Sequence, residues 1–240
     1  MAAAWEETSM RKLIGLCFLT ATLVATSAHA QGIFIDRGDP NAISATVGGG
    51  VVKDGWGGGA MGSWTYRGVF DAGADLAYNK YTGGGNKNLS SISLTPFVTF
   101  HALKAEEDEF PISISATLGV QRQFYTGNSP VSNPEGWDLF IGPSVYRRIE
   151  LGTSMLFVPE GLVAYDLKAT RHYSGALDQS SGYQPDLVGG TGYTTEMKHG
   201  VRVMLKANLL MRAGNTKYLI VPYGGYQDGL AFGGNVGALF

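Results

Sequence analysis

Between Ile112 and Gln121 apolar and polar residues alternate without a break. Ile112, Ile114, Ala116, Leu118 and Val120 fall on one side of the chain, and Ser113, Ser115, Thr117, Gly119 and Gln121 on the other. A period of two is the mark of a β-strand with one dry and one wet face. The pattern recurs where Ile92, Leu94, Pro96, Val98 and Phe100 oppose Ser91, Ser93, Thr95, Thr99 and His101. It recurs at greater length where Met197, Val201, Val203, Leu205, Ala207, Leu209 and Met211 oppose Glu196, Lys198, Arg202, Lys206, Asn208 and Arg212. Soluble strands usually run to about five or six residues, so this last one is long. Ten segments of this kind are predicted, over 42–52, 59–67, 69–80, 89–103, 110–125, 137–149, 155–171, 193–212, 217–226 and 230–240. Eight is the alternative count.

The connections alternate in length. Residues 81–88, 126–136 and 172–192 are rich in Gly, Ser, Asn or Pro, whereas 67–69, 150–154 and 213–216 are tight. Long loops at one rim and short turns at the other, with an even number of strands, suit a sheet closed into a membrane barrel. Lipid offers the backbone no hydrogen-bond partner, so a strand can cross it only within a closed sheet. Trp56, Trp64, Tyr78, Tyr125, Trp137, Tyr193, Tyr218 and Tyr226 stand near segment ends, where aromatic girdles form. Charges avoid the apolar faces, apart from Arg122 near the outer end of its strand, which can reach lipid headgroups by snorkelling.

The last segment ends on Leu230, Phe232, Gly234, Val236, Ala238 and Phe240 along one face. With the alternating strands and the loop asymmetry, this resembles the small bacterial outer-membrane β-barrels. The resemblance spans the chain after its first thirty residues. It implies an all-β fold, a closed antiparallel transmembrane barrel with periplasmic termini, and a place in the outer membrane among lipid and lipopolysaccharide. It further implies a monomer whose Phe232, Val236 and Phe240 are the assembly signal read by the barrel-assembly machinery. One scaffold of this class hosts pores, enzymes and passive structural proteins, so the fold leaves function open.

The opposite end reads as an export leader. Met10-Arg11-Lys12 is basic, residues 13–25 are apolar, and Ser27-Ala28-His29-Ala30 is a small-residue cleavage site before Gln31. The expected organisation is a signal peptide over 1–30, with translation starting at Met1 or Met10, a short segment over 31–41, and the barrel over 42–240. Cys17, the one cysteine, lies in the leader, which excludes disulfides and thiolate metal sites from the remainder. Lys+Arg 18 stand against Asp+Glu 20, and loss of Glu6, Glu7, Arg11 and Lys12 leaves that balance unchanged. There is no basic excess for nucleic acid. After the leader no apolar run reaches the ~20 residues of a membrane helix.

Candidate chemistry sits on the wet face. Asp71, Asp75, Asp138, Tyr146, Arg148, Asp166, Lys168, Glu196, Arg202, Lys206 and Arg212 fall on inward registers. A barrel this narrow has room for little more than its own side chains, so opposite charges are expected to pair into a network filling the lumen. The expected function is structural, or that of a narrow pore. Gly48 to Gly50, Gly57 to Gly59, Gly233 and Gly234 gather at the closing seam. They are expected to leave space for large side chains from the opposite wall or for a small ligand.

An enzymatic alternative rests on His172-Tyr173-Ser174, which resembles the His-x-Ser pair of the lipid A deacylases. That resemblance implies His172 as base, Ser174 as nucleophile, and Asp178, Asp186 or Glu196 as orienting carboxylate. A third reading is surface binding through the long loops. His101 and His199 read as structural, and Arg37-Gly38-Asp39 as a chance tripeptide on the inner side. Neither a metal cluster nor a cofactor motif is present, and no cofactor is expected.

Overall fold

The computed structural model describes residues 32–35, 37–38, 40–52, 54–83, 89–126, 135–173, 193–214, 216–227 and 229–240. A short 3-10 turn, Gly32–Phe34, comes first. The strands follow as β1 (Ala42–Val52), β2 (Gly55–Tyr66), β3 (Phe70–Tyr81), β4 (Ser90–Leu103), β5 (Ser113–Thr126) and β6 (Glu135–Tyr146). After the two-residue β7 (Ile149–Glu150) come β8 (Met155–Tyr173), β9 (Tyr193–Ala213), β10 (Thr216–Tyr226) and β11 (Leu230–Leu239). Each long strand pairs antiparallel with its sequence neighbour, β6 pairs with β8, and β11 pairs with β1. Ten long strands therefore close a ring, and β7 adds only a rung beside β8.

The register fixes the shape. From Val47 the ladder passes through Ala60, Leu76, Leu94, Arg122, Trp137 and Ala169 to Met197 on β9. In the other direction it passes through Val236 and Ile220 to Leu209 on the same strand. The two paths meet twelve residues apart, and this stagger tilts the strands about the barrel axis. Ladder and tight turns agree at the inner rim, where Val69 N–H donates to Tyr66 O at 3.0 Å and Arg67 and Gly68 both take positive φ. That is the primed turn whose twist suits a hairpin.

Two departures from strict alternation matter. In β4 the pairing steps from His101↔Ser115 to Leu103↔Ile114, so Ala102 is a bulge. The extra residue reverses the facing of the residues after it and turns Lys104, fully buried, into the barrel, where an unbroken strand would have aimed it outward. The second departure is the glycine seam. Gly55 to Gly58 pair with β1 and β3, extending β2 beyond the strand expected from Gly59. The space at the seam goes to near neighbours and not to large side chains from the opposite wall. Side chains of adjacent strands cover it, Asn235 over Gly48, Asn79 over Gly57 and Tyr223 over Gly233. A Cβ at Gly50 would collide with the Phe232 carbonyl of the next strand.

The outer surface is apolar from rim to rim. Val47, Leu76, Leu94, Ile141, Val163, Val201 and Leu205 stand exposed around the middle. Trp64, Tyr66 and Tyr218 stand near the inner ends of their strands, and Trp56, Tyr78, Trp137 and Tyr226 near the outer ends. An apolar belt this continuous is far larger than a soluble monomer tolerates. Arg122 lies on this surface with its guanidinium 5.1 Å from the Phe124 ring centre and 4.6 Å from that of Trp137. Stacking of this kind keeps the charge at the girdle level. Replacing outward Leu76 by Arg is expected to lower the stability of the folded barrel in lipid vesicles by ~2 to 4 kcal/mol. Denaturant titration in vesicles measures it, and an unchanged midpoint would show that Leu76 does not face hydrocarbon.

Candidate functional site

The inner end of the barrel is closed by the residues ahead of β1. Ile33 is wholly buried, and with Phe34 and Ile35 it joins Ala42, Tyr146, Leu156, Val158, Leu210, Leu219 and Leu239 in one apolar cluster. The 3-10 turn suits this position because it is compact and needs few backbone partners beyond itself. Its first donor does need one. Gly32 N–H donates to both carboxylate oxygens of Asp71 at 3.0 Å. A Cβ at residue 32 would collide with His101 Nε2, so only glycine brings the backbone this close to the carboxylate.

Asp71 is the hub of a buried chain. Thr65 Oγ1 donates to its Oδ1 at 2.7 Å, and His101 Nε2 lies 3.0 Å from Oδ2. A carboxylate only accepts, so Nε2 carries the hydrogen, and in the neutral ring the Tyr146 hydroxyl donates to Nδ1, 3.1 Å away. Buried charge is tolerated where each lone pair is met in this way. Around this hub the plug is tied by Lys104 Nζ, which donates to Ile35 O. At the rim Arg37 Nη1 donates to Asp108 Oδ1 at 3.2 Å and Arg37 N–H to Glu107 Oε1 at 2.7 Å. The acidic turn after β4 thus holds Arg37 at the rim by contacts within the molecule.

Farther out the interior has two unlike walls. From β1 to β5 the inward residues are mostly small hydroxyls: Ser44, Thr46, Ser63, Thr65, Ser91, Ser93, Thr95, Thr99, Ser113, Ser115 and Thr117, all buried. Several bond in pairs across strands, such as Ser44 with Ser63 at 3.0 Å and Thr99 with Thr117 at 2.9 Å. On β6, β8, β9 and β10 many inward residues are large. Arg202 Nη2 lies 3.1 Å from Asp138 Oδ2, its Nε 3.3 Å from Asp166 Oδ1, and its guanidinium 4.3 Å from the centre of the Phe140 ring. Gln227 Nε2 donates to Asp138 Oδ2 at 2.9 Å. Lys206 Nζ donates to Glu160 Oε1 at 3.2 Å, and Asn208 Nδ2 to Glu160 Oε2 at 3.2 Å.

Of the inward residues expected from the sequence, the structure buries Asp71, Asp75, Tyr146, Asp138, Asp166, Arg202 and Lys206. It brings Asp138, Asp166 and Arg202 together, pairs Lys206 with Glu160, and joins Asp71 to Tyr146 through His101. Asp75 stands apart on the hydroxyl wall. Arg148 and Lys168 are half-buried near opposite rims, and Arg212 is exposed at the inner end of β9. Ser174, with Asp178 and Asp186, and the side chains of His172 and Glu196 lie outside the described residues. Sequence reasoning missed Glu160, Lys104 and the role of His101. Period two places Glu160 inward beside Asp166, a signal that was readable, whereas Lys104 depends on the bulge. His199 is exposed on the outer face with its Nδ1 bonded to the Tyr165 hydroxyl. Among the described residues no group of three or more potential metal ligands occurs.

No family model matches the chain. No curated protein matches it either. Among solved structures, the β domain of the Bordetella autotransporter BrkA is similar at 11% identity with a TM-score of 0.44, over 84% of this chain and 98% of that one. At that score the barrel assignment stands on the strand register alone. Removing Arg202 should expose the weight of the interior network. Arg202→Ala leaves Asp138 and Asp166 buried without their shared cation, a loss of ~3 to 5 kcal/mol. Unfolding in vesicles reads it, and a loss below ~1 kcal/mol would mean that the two carboxylates are solvated.

Proposed function

We propose that this chain is a bacterial outer-membrane β-barrel, monomeric and closed at rest, whose role is structural or that of a narrow pore with a largely filled polar lumen. The observation that carries the reading is the opposition of faces: a closed ring with a lipid-compatible exterior and an interior occupied by ion pairs and by the chain's own amino-terminal segment. Outer-membrane lipid and lipopolysaccharide are the surroundings, and the barrel-assembly machinery is the partner in biogenesis. Phe232, Val236 and Phe240 are proposed as its signal. Support comes from Phe232 and Phe240, which point outward, while the Phe240 backbone exchanges hydrogen bonds of 2.8 and 3.0 Å with Ile43.

A surface-binding role is the second reading, and one feature favours it. β8 and β9, with 19 and 21 residues, are far longer than the ~9 to 11 residues that cross a bilayer. Their hairpin stands beyond the rim, and β10 pairs with β9 only as far as Val203. The deacylase alternative needs His172 and Ser174, whose side chains lie outside the described residues.

The protein is expected in the outer-membrane fraction, running faster on a gel before boiling than after. A soluble product with unshifted mobility would overturn the reading. Lipid A from cells carrying the wild type and the His172→Ala variant is expected to be identically acylated. Loss of an acyl chain with the wild type alone would move the assignment to a hydrolase.

A further inference from the structure

The two walls of the lumen differ in how their charges are matched as well as in size. The buried acids among the described residues are Asp71, Asp75, Asp138, Glu160 and Asp166, and the buried bases are Lys104, Arg202 and Lys206, with His101 besides. The bases on the large wall are committed to Asp138, Asp166 and Glu160. Lys104 lies at the inner mouth, on Ile35 O. The hydroxyl wall is left with Asp71 and Asp75.

These two acids differ in how they are satisfied. Asp71 is met by Thr65, His101 and the plug's Gly32. Asp75 has 5% of its surface exposed, points into the barrel, and has no hydrogen-bond or ion-pair partner among the described residues. It shares one level of the ladder with Thr46, Met61 and Thr95. Thr46 Oγ1, also buried, has no protein partner among the described residues. At this level Met61 meets Phe97 and Val221, which reach across from the two walls. A lone carboxylate beside an apolar constriction, continuous with a ladder of hydroxyls, is suited to a small cation. The hydroxyl oxygens can replace part of its hydration, and the carboxylate lowers its energy beside the apolar cluster of Met61, Phe97 and Val221.

We infer that the hydroxyl wall of β1 to β5 is a latent path for small inorganic cations, selected at Asp75 and shut at the inner mouth by residues 32–35 and 37–38. This rests on the outer-membrane barrel reading. The plug is a piece separate from the sheet. Apolar packing of Ile33, Phe34 and Ile35 seats it, and its polar ties are Asp71 on Gly32, Lys104 on Ile35, Gly38 N–H on Arg67 O, and Arg37 on Glu107, Asp108 and the carbonyls of His101 and Ala102. None of the barrel's strand pairings depends on it. When Gly32 leaves, Asp71 loses one of its donors but stays held by Thr65 and His101, so Asp75 remains the selecting carboxylate of this wall.

Planar bilayers in potassium chloride test this with four proteins, each first checked for the heat-dependent gel shift of a folded barrel. The wild type is expected to insert and stay silent. Gly32→Leu, whose side chain has no room beside His101, is expected to fold and to show discrete steps with potassium favoured over chloride. Adding Asp75→Asn to Gly32→Leu should keep the steps and lower the potassium-to-chloride permeability ratio at least about threefold. Arg37→Glu, set against Glu107 and Asp108, provides a second way to release the plug and should open the barrel as well. A folded, inserted Gly32→Leu and Arg37→Glu pair that both stay silent would overturn the path. Steps in the wild type equal to those of the variants would overturn the plug, and a ratio unmoved by Asp75→Asn would overturn the site. A chain with no heat shift that does not enter bilayers would instead bring down the barrel reading beneath it.

Discussion

A backbone amide in hydrocarbon must find its partner within the protein, and this requirement organises the chain. It forces the final strand back onto the first, so that Phe240, the last residue, shares hydrogen bonds with Ile43, and no edge remains along that seam. Closure at ten strands with a twelve-residue stagger sets the bore, and the bore decides the rest. Alternation then gives every strand two surfaces that answer to different solvents. The outward set can be almost wholly apolar because lipid covers it. The inward set has to solve the problem of a polar core with little water.

Two solutions coexist inside. On the large wall Arg202 and Lys206 are each placed among carboxylates, and Arg202 also rests on Phe140. Pairs of this kind gain little over an apolar core of the same shape but are costly to break, so they hold one arrangement of β6, β8 and β9. On the hydroxyl wall small side chains satisfy each other across strands at low desolvation cost. At the inner end a third solution is added to the Asp71–His101 pair. The apolar residues Leu156, Val158, Leu210, Leu219 and Leu239 face inward there, and the chain covers them with its own Ile33 and Phe34. The amino-terminal segment is thus the missing piece of a core that the barrel alone leaves open.

Much of the sheet was legible because period two is a strong signal when repeated over strands as long as Ser113–Thr126 or Tyr193–Ala213. The inward side of Asp138, Asp166, Arg202 and Lys206 followed from parity alone. What parity cannot carry is anything beyond a defect in it. Lys104 was invisible because a single extra residue at Ala102 reverses the face. The plug was invisible for another reason: Gly32 to Ile35 has no period, and its role comes from contacts with Asp71 and His101, far away in sequence. The glycine seam was expected to make room for large side chains of the opposite wall or for a small ligand, whereas Asn79, Tyr223 and Asn235 from neighbouring strands lean over it. Composition shows where side chains are lacking, and only the register shows which neighbours lean over.

The seating of Gly32 against Asp71 inside the closed ring is the contact on which the sealed inner mouth depends most. Amide hydrogen exchange of Gly32, monitored by NMR with the barrel in lipid nanodiscs, tests this contact directly. A protected amide, slow to exchange and shifted downfield by its carboxylate partner, and losing both properties in Asp71→Asn, is the predicted result. An amide that exchanges at the rate of an unstructured peptide in the folded wild-type barrel would contradict it.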